Sequence, residues 1–404
     1  MFENNYNNLN NIHFCKKCVE SNQRFMSTPQ HDLTNDHLKP RALFDDSGVC
    51  LSCRYYEKKK EIDWTAREGE LGKILSNFRK KNGEYDVLVP GSGGKDSIFT
   101  AIYLKEKFNM NPLTCTWAPG IFTEIGWKNL QSWIKSGFDN ILFTPNKKVH
   151  SLLTKLSFLN LLHPFQPFAI GQSSFPMKVA LEKNIKLVVY GDGMSERGIG
   201  KTNLDDLNIH GEKDIKDWQT YNKNKKIYLA GLEMEEIKKE YSLSNSDLKP
   251  YMPVDKETLR ENNINILHIT DFVSYNPQKN FYFAKEKSQF EVNPDGRSEG
   301  TYTKYVSLDD QIDGLHHYTW FIKTGRGRAT EDACIEIRNE IISRDEGVSL
   351  VKKYDGEFPK KHYKKFLDYC NLTEIEFQKI CDIWRAKHLW TKKNNKWQLI
   401  KQVS

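Results

Sequence analysis

The sequence predicts an α/β fold: a parallel, doubly wound sheet with a cysteine-paired segment ahead of it and a helical region behind it. Three observations carry this expectation. Between Tyr85 and Gly191, short apolar runs alternate with helical patterns, as in a parallel sheet covered on both faces. Ahead of that stretch, two C-x₂-C pairs sit among turn formers. Behind it, the last hundred residues carry repeated helix-start signals. The 404 residues suffice for two or three cores. The net charge of +7 is mild and spread out; it suits an anionic small molecule and does not by itself call for nucleic acid. The asparagine-rich start lacks the basic-then-apolar pattern of a signal peptide, and no run approaches a membrane span. Eight cysteines in so long a chain do not make a disulfide scaffold. The expectation is a soluble, cytoplasmic protein with no membrane partner.

The elements are expected in this order. Residues 1–12 form a flexible arm, and 13–60 a metal-binding segment. The charged stretch "RYYEKKKEIDWTAREGELGKILSNFRKKNG" gives one or two exposed helices leading into an α/β domain over 61–200. There "YDVLV", "PLTCTW", "NILFT" and "IKLVVYG" are strands, and "SIFTAIYLKEKF", "EIGWKNLQSWIKSG", "HSLLTKLSFLNLL" and "FPMKVALEKN" are helices. Residues 201–304 read as an insertion or substrate region in which "INILHITDF" is one more strand. Residues 305–404 are helical and complete the active site. Ser307 with Asp310, Ser343 with Glu346, and Thr373 with Glu376 each fit a capping box. Phe377, Ile380, Cys381 and Trp384 fall on one helical face.

"PGSGGKDS", Pro90 to Ser97, lies between the first strand and the first helix of the domain. A strand, a glycine-rich loop and a helix in that order make an anion site: the backbone approaches closely, N–H groups point at the ligand, and the helix N-terminus adds positive potential. It is not a Walker A loop, because Lys95 is followed by Asp96, and it lacks the G-x-G-x-x-G spacing. The candidate nucleotide-binding residues are Gly91, Ser92, Gly93, Gly94, Asp96 and Ser97. Ligands lie beyond the carboxyl ends of such strands, which adds Thr116 and Trp117, and Gly191 and Asp192. Lys95 and Asp96 are the candidate catalytic residues of the loop. Asp96 and Asp192 have the chemistry of Mg²⁺ ligands, although a turn aspartate explains "GDG" equally.

Cys15 and Cys18, with Cys50 and Cys53, can close a tetrahedral S₄ site, expected to hold a structural Zn²⁺; an iron–sulfur cluster or a redox pair is the alternative. His13, His31 and His37 read as surface residues. Cys115 reads as a buried small residue, and Cys334, Cys370 and Cys381 as core. In the C-terminal third, "KTGRGR" places Lys323, Arg326 and Arg328 among glycines before a helix, a candidate phosphate clamp. "DDQID" supplies Asp309, Asp310 and Asp313, explained as an exposed acidic helix start with no metal. His316, His317, Tyr318 and Trp320 fit a sugar pocket or core packing.

The stretch S-G-G-x-D-S at Ser92–Ser97 resembles the PP-loop of the ATP pyrophosphatase superfamily, which implies the adenine nucleotide alpha hydrolase-like fold. With the paired cysteines, "GVCLSC", "GWKNLQSWIKSGFDNILFTPN", "PFAIGQ", "YMP" and "TKYVSLDDQIDGLHHYT" through "GEFP", the chain resembles the N-acetyl sugar amidotransferases of bacterial surface-polysaccharide and nonulosonic acid pathways, from about Cys15 to its C-terminus. The resemblance implies ATP and Mg²⁺ as cofactors. It implies adenylylation of a sugar's N-acetyl oxygen, with displacement of AMP by ammonia to give an acetamidino group and pyrophosphate. It also implies an ammonia-supplying glutaminase and a cyclase-like synthase subunit as partners, since the chain shows no glutaminase constellation of its own. Where the family has Gly-Glu-Asn after the fourth strand, this chain has "GDG" followed by "MSERGIG"; Asp192 is a carboxylate shorter by one carbon, and Glu196 is the alternative. Two competing functions remain: a PP-loop tRNA-modifying enzyme of the thiolation type, against which stand the isolation of Cys115 and the lack of a basic stripe, and a non-enzymatic zinc module, against which stands the intact loop.

Overall fold

The computed structural model describes residues 11–24, 28, 30–34, 42–191, 220–221 and 225–404. Five strands form one parallel sheet: β1 (Val87–Pro90), β2 (Pro112–Trp117), β3 (Asn140–Phe143), β4 (Leu187–Tyr190) and β5 (Asn265–His268). Their spatial order is β3-β2-β1-β4-β5. The apolar runs are continuous because the central strands are buried on both faces: every residue of β1 and β2 is buried. Successive side chains still alternate. Val87 and Val89 pack with Ile98, Leu104 and Phe281 on one face, whereas Leu88 packs with Val179, Val188 and Ile266 on the other. Register is fixed by Val87 opposite Pro112, Leu88 opposite Val188, and Leu187 opposite Asn265.

The expected helices form at Lys95–Phe108, Glu124–Lys135, Lys147–Leu161 and Gln166–Glu182. Thr123 caps its helix by accepting from the Gly126 N–H. The charged stretch before the sheet gives two helices, Leu51–Lys59 and Trp64–Ser76. The fifth strand comes from the 201–304 stretch, so that part of the chain builds the sheet as well as extending it. The Pro277–Lys287 helix of the same stretch packs on the Lys95–Phe108 helix, with Phe281 and Ala284 buried.

Behind the sheet lie helices Asp313–Thr324, Arg328–Arg338, Arg344–Tyr354, Lys360–Cys370 and Glu374–Trp384. The capping boxes of Ser343 with Glu346 and of Thr373 with Glu376 are present. The Ser307–Asp310 box is not. Ser307 has φ 53° and the helix starts only at Asp313, because Asp310 accepts from the Ile312 and Gly120 N–H groups, tying the chain before the helix to the sheet end. The chain closes with an unanticipated hairpin, Trp390–Lys393 against Lys396–Leu399. Its turn residues Asn394 and Asn395 have φ of 48° and 60°, the two left-handed positions a tight hairpin needs. Among the described residues no helix is long and apolar enough to cross a membrane.

Candidate active site and candidate metal centre

The strand order reverses between β1 and β4: β2 lies on one side of β1 and β4 on the other. Such a switch point opens a crevice beyond the strand ends, and Gly91–Gly94 runs into it. Gly93 has φ +82°, and a Cβ there would stand 2.7 Å from the Asn129 backbone. A Cβ on Gly191, at the end of β4, would meet the Asp96 carbonyl at 2.7 Å, so a side chain there would push the neighbouring strand off the loop. No side chain caps the Lys95–Phe108 helix, whose N-cap is Gly94; its N-terminus faces the loop, with the Asp96 carboxylate in its first turn.

Around the loop, residues from distant parts of the chain converge. Lys95 Nζ lies 2.6 Å from Asp96 Oδ2, and Asn280 Nδ2 donates to Asp96 Oδ1 at 2.8 Å. Tyr275 and Tyr305 flank Lys95. Glu336 accepts from the hydroxyls of Tyr302 at 2.7 Å and Tyr305 at 3.2 Å. Burial raises the Glu336 carboxyl above its ordinary range against those hydrogen bonds. Ser92 of the loop lies beside the carboxylate of Asp309 and favours its ionised form. The "DDQID" stretch is therefore no exposed helix start. Asp310 and Asp313 are buried and Asp309 half-buried, because this segment crosses the site end of the sheet. Burial lifts Asp309 and Asp310. At Asp313 burial acts in the same direction, but His317, 3.5 Å away, and Arg328 outweigh it and hold the carboxyl below its usual range.

The remaining candidates fall in other places. Thr116 is buried, and its hydroxyl accepts from Asn140 at 3.1 Å. The Trp117 ring is taken up by stacking on Phe143 at 4.9 Å and by Tyr251 at its edge. Lys323 donates to the Leu161 carbonyl at 2.7 Å, and Arg326 is buried between Glu20 at 2.9 Å and Glu331 at 3.3 Å. The basic "KTGRGR" loop thus commits two of its three cations to joining chain segments. Arg328 alone points along the active-site wall, bonded to Asp332 at 3.1 Å and 3.3 Å from His317 Nε2. His316 stacks between His163 and Phe165, and Tyr318 packs on Phe358. Asp192, Glu196 and His37 lie outside the described residues. His31, read as a surface residue, is buried, and Cys115, Cys334, Cys370 and Cys381 are buried as expected. Tyr275, Asn280, Tyr302, Tyr305 and Glu336 had no sequence signal of their own; the block from "KYVSLDD" through "GEFP", with Tyr305 and Glu336 in it, pointed to this wall as a stretch.

The four paired cysteines meet, with all sulfurs within 4.8 Å of one another. Cys15 Sγ to Cys53 Sγ is 3.9 Å, and Cys18 Sγ to Cys50 Sγ is 3.7 Å. A tetrahedron with metal–sulfur bonds of about 2.3 Å has edges of about 3.8 Å, so the four sulfurs fit one metal ion. A cubane cluster would need them wider apart. Amides of Lys17, Cys18 and Cys50 donate to Cys15 Sγ at 3.3–3.5 Å, the knuckle pattern that stabilises thiolate. Arg344 donates to the Cys15 and Cys18 carbonyls, and the Arg338 guanidinium is buried beside Cys18, Cys53 and Cys334.

Part of this wall falls in a stretch that is similar to known proteins. Residues 299–404 match the family model of the C-terminal domain of WbpG-like lipopolysaccharide (LPS) biosynthesis proteins. An uncharacterized protein of Methanocaldococcus jannaschii is 35% identical over 77 residues, a match that spans 17% of this chain and 25% of that protein. The U34-tRNA thiolase NcsA from Methanococcus maripaludis, solved with its 4Fe-4S cluster, aligns over 89% of each chain at 14% identity with a TM-score of 0.28. Tyr302, Tyr305, Asp309, Asp313, Arg328, Asp332 and Glu336 all lie inside the matched C-terminal residues, and Asp309 and Tyr305 among them meet the S-G-G-x-D-S loop. Residues 299–404 thus resemble a WbpG-like C-terminal domain, a stretch that meets the glycine loop through Asp309 and Tyr305.

Proposed function

We propose that this protein is an ATP-dependent amidotransferase that acts on an N-acetylated sugar of a bacterial surface glycan. The observation that carries the reading is the meeting of the glycine loop with the wall of the WbpG-like domain, through Ser92–Asp309 and through Lys95 with Tyr305. The backbone N–H groups of Ser92–Gly94 and the hydroxyls of Ser92 and Ser97 hold the phosphates, and Lys95 offsets the charge that develops on departing pyrophosphate. Asp96, with one oxygen fixed by Asn280, would hold Mg²⁺ through the other, and the ion would neutralise phosphate charge there. The N-acetyl oxygen attacks the α-phosphorus. AMP then makes that oxygen a good leaving group, and ammonia displaces it to leave an amidinium. The acidic wall of Asp309, Asp313, Asp332 and Glu336 suits a cationic product. Ammonia comes from a glutaminase partner through a cyclase-like subunit. The four cysteines hold a structural Zn²⁺.

The test is mass spectrometry of the protein with ATP, Mg²⁺ and ammonium, supplied with N-acetylated sugar candidates or with bulk tRNA. AMP together with a sugar in which oxygen has become NH is the expected outcome. AMP formed only with tRNA would assign the protein to RNA modification.

A further inference from the structure

The loop lysine rests in an aromatic slot. Its Nζ lies 5.9 Å from the centre of the Tyr275 ring and 5.7 Å from that of Tyr305, within the range at which a ring face attracts an ammonium. The Tyr275 hydroxyl is 3.5 Å away. Tyr305 is pinned twice: its ring stacks on Phe281 at 4.8 Å, and its hydroxyl donates to Glu336. Glu336 is itself buried and held by Tyr302 and by Gln278 at 3.5 Å. Among the described residues, the carboxylate meets the Lys95 slot through the Tyr305 ring it anchors.

We propose that Glu336 is a positioning residue for Lys95: through Tyr305 it holds the slot that keeps the loop ammonium at the helix start and steers it onto phosphate when its ion pair with Asp96 opens. The proposal rests on reading the loop as the ATP site. A polyphosphate with its cation competes for both partners of the Lys95–Asp96 pair, so binding has to open it. A freed lysine on its four-carbon stem would otherwise sample many rotamers, and the slot restricts them to those facing the loop. A phenol that donates to a carboxylate gains electron density, which strengthens the hold of its ring on a cation. A Glu336 that merely packed its helix would affect stability without regard to which residue stands at position 95.

The test is a double-mutant cycle on the full-length protein, with binding of Mg²⁺·α,β-methylene-ATP measured by calorimetry. Glu336→Gln is expected to weaken binding about tenfold in the wild-type background and less than about twofold in a Lys95→Met background. Tyr305→Phe keeps the ring but frees it from Glu336. It should weaken binding to a similar extent, with no further loss when combined with Glu336→Gln. Losses of equal size in both backgrounds, or no loss in Glu336→Gln, would overturn the proposal. If Glu336→Gln does not fold, the Tyr305→Phe and Lys95→Met pair closes the same cycle. A folded wild-type protein that ignores the analogue would instead remove the ATP reading itself.

Discussion

Asp96 has two oxygens with different duties. Asn280 fixes one, and the other is shared with Lys95, the oxygen that the proposed reaction assigns to a cation. Asp96→Asn should therefore leave the fold intact by circular dichroism and lower AMP formation at least about a hundredfold, the scale of losing one metal contact to transferring phosphate. Turnover close to wild type would remove the loop from the chemistry. A second residue-scale prediction concerns acid. His150 is buried against Tyr251, 2.9 Å from its hydroxyl, and burial pushes its pKa down to about 4. A histidine with a depressed folded pKa stays neutral in the folded chain while the unfolded chain takes up a proton. Its effect on stability is absent above about pH 6.5 and grows as pH falls toward about 4. His150→Gln should flatten the pH dependence of unfolding free energy in that window by up to about 1.4 kcal/mol per pH unit. His316, whose pKa burial takes down to about 3, keeps a second such contribution in place.

At the scale of one element, the Arg328–Arg338 helix serves two neighbours. Arg328, Asp332 and Glu336, spaced four apart, share the face toward the tyrosine wall. Cys334 and Arg338 share the face toward the four cysteines. Metal binding at the cysteines should therefore steady residues that border the loop. Cys50→Ser is expected to lose one equivalent of metal, to lower the melting midpoint, and to speed amide exchange across 328–338 at least about tenfold. A metal-free variant with unchanged protection there would show the two faces to be independent.

Across the whole molecule, the two ends of the chain are clasped. Arg326 pairs with Glu20 across 306 residues, His388 meets Gln23 at 2.9 Å, and Lys401 donates to the Ile12 carbonyl at 2.7 Å. Glu20 also pairs with Arg24 at 2.9 Å, and all three charges are buried. Removing Arg326 leaves Arg24 against both Glu20 and Glu331, an excess of buried negative charge, so Arg326→Met should cost about 3–5 kcal/mol in urea unfolding. A surface-exposed phosphate clamp would show no such loss. This is also where legibility from sequence ended. The strands, the loop, the cysteine ligands and two of three capping boxes were readable because each is a local pattern. Arg326 was not, since nothing near "KTGRGR" announces a glutamate at position 20. Asp310 and Asp313 were misread as solvated because an acidic run looks the same whether it faces water or seals a site. Tyr275, Asn280 and Glu336 have no shared local motif; only the parallel sheet, which sets distant segments side by side, brings them to the loop.

The distance along the chain between the loop and its wall has a consequence during synthesis. Asn280 follows Asp96 by 184 residues, and Glu336 comes later still. At about 5–20 residues per second a ribosome needs about 10–40 s to cover the first of those intervals. Throughout it, the nascent chain presents a glycine cradle without the amide that fixes Asp96 or the tyrosines that flank Lys95. An unfinished polypeptide thus carries the loop without its wall, and the proposed reaction has its full set of side chains only after translation has passed residue 336.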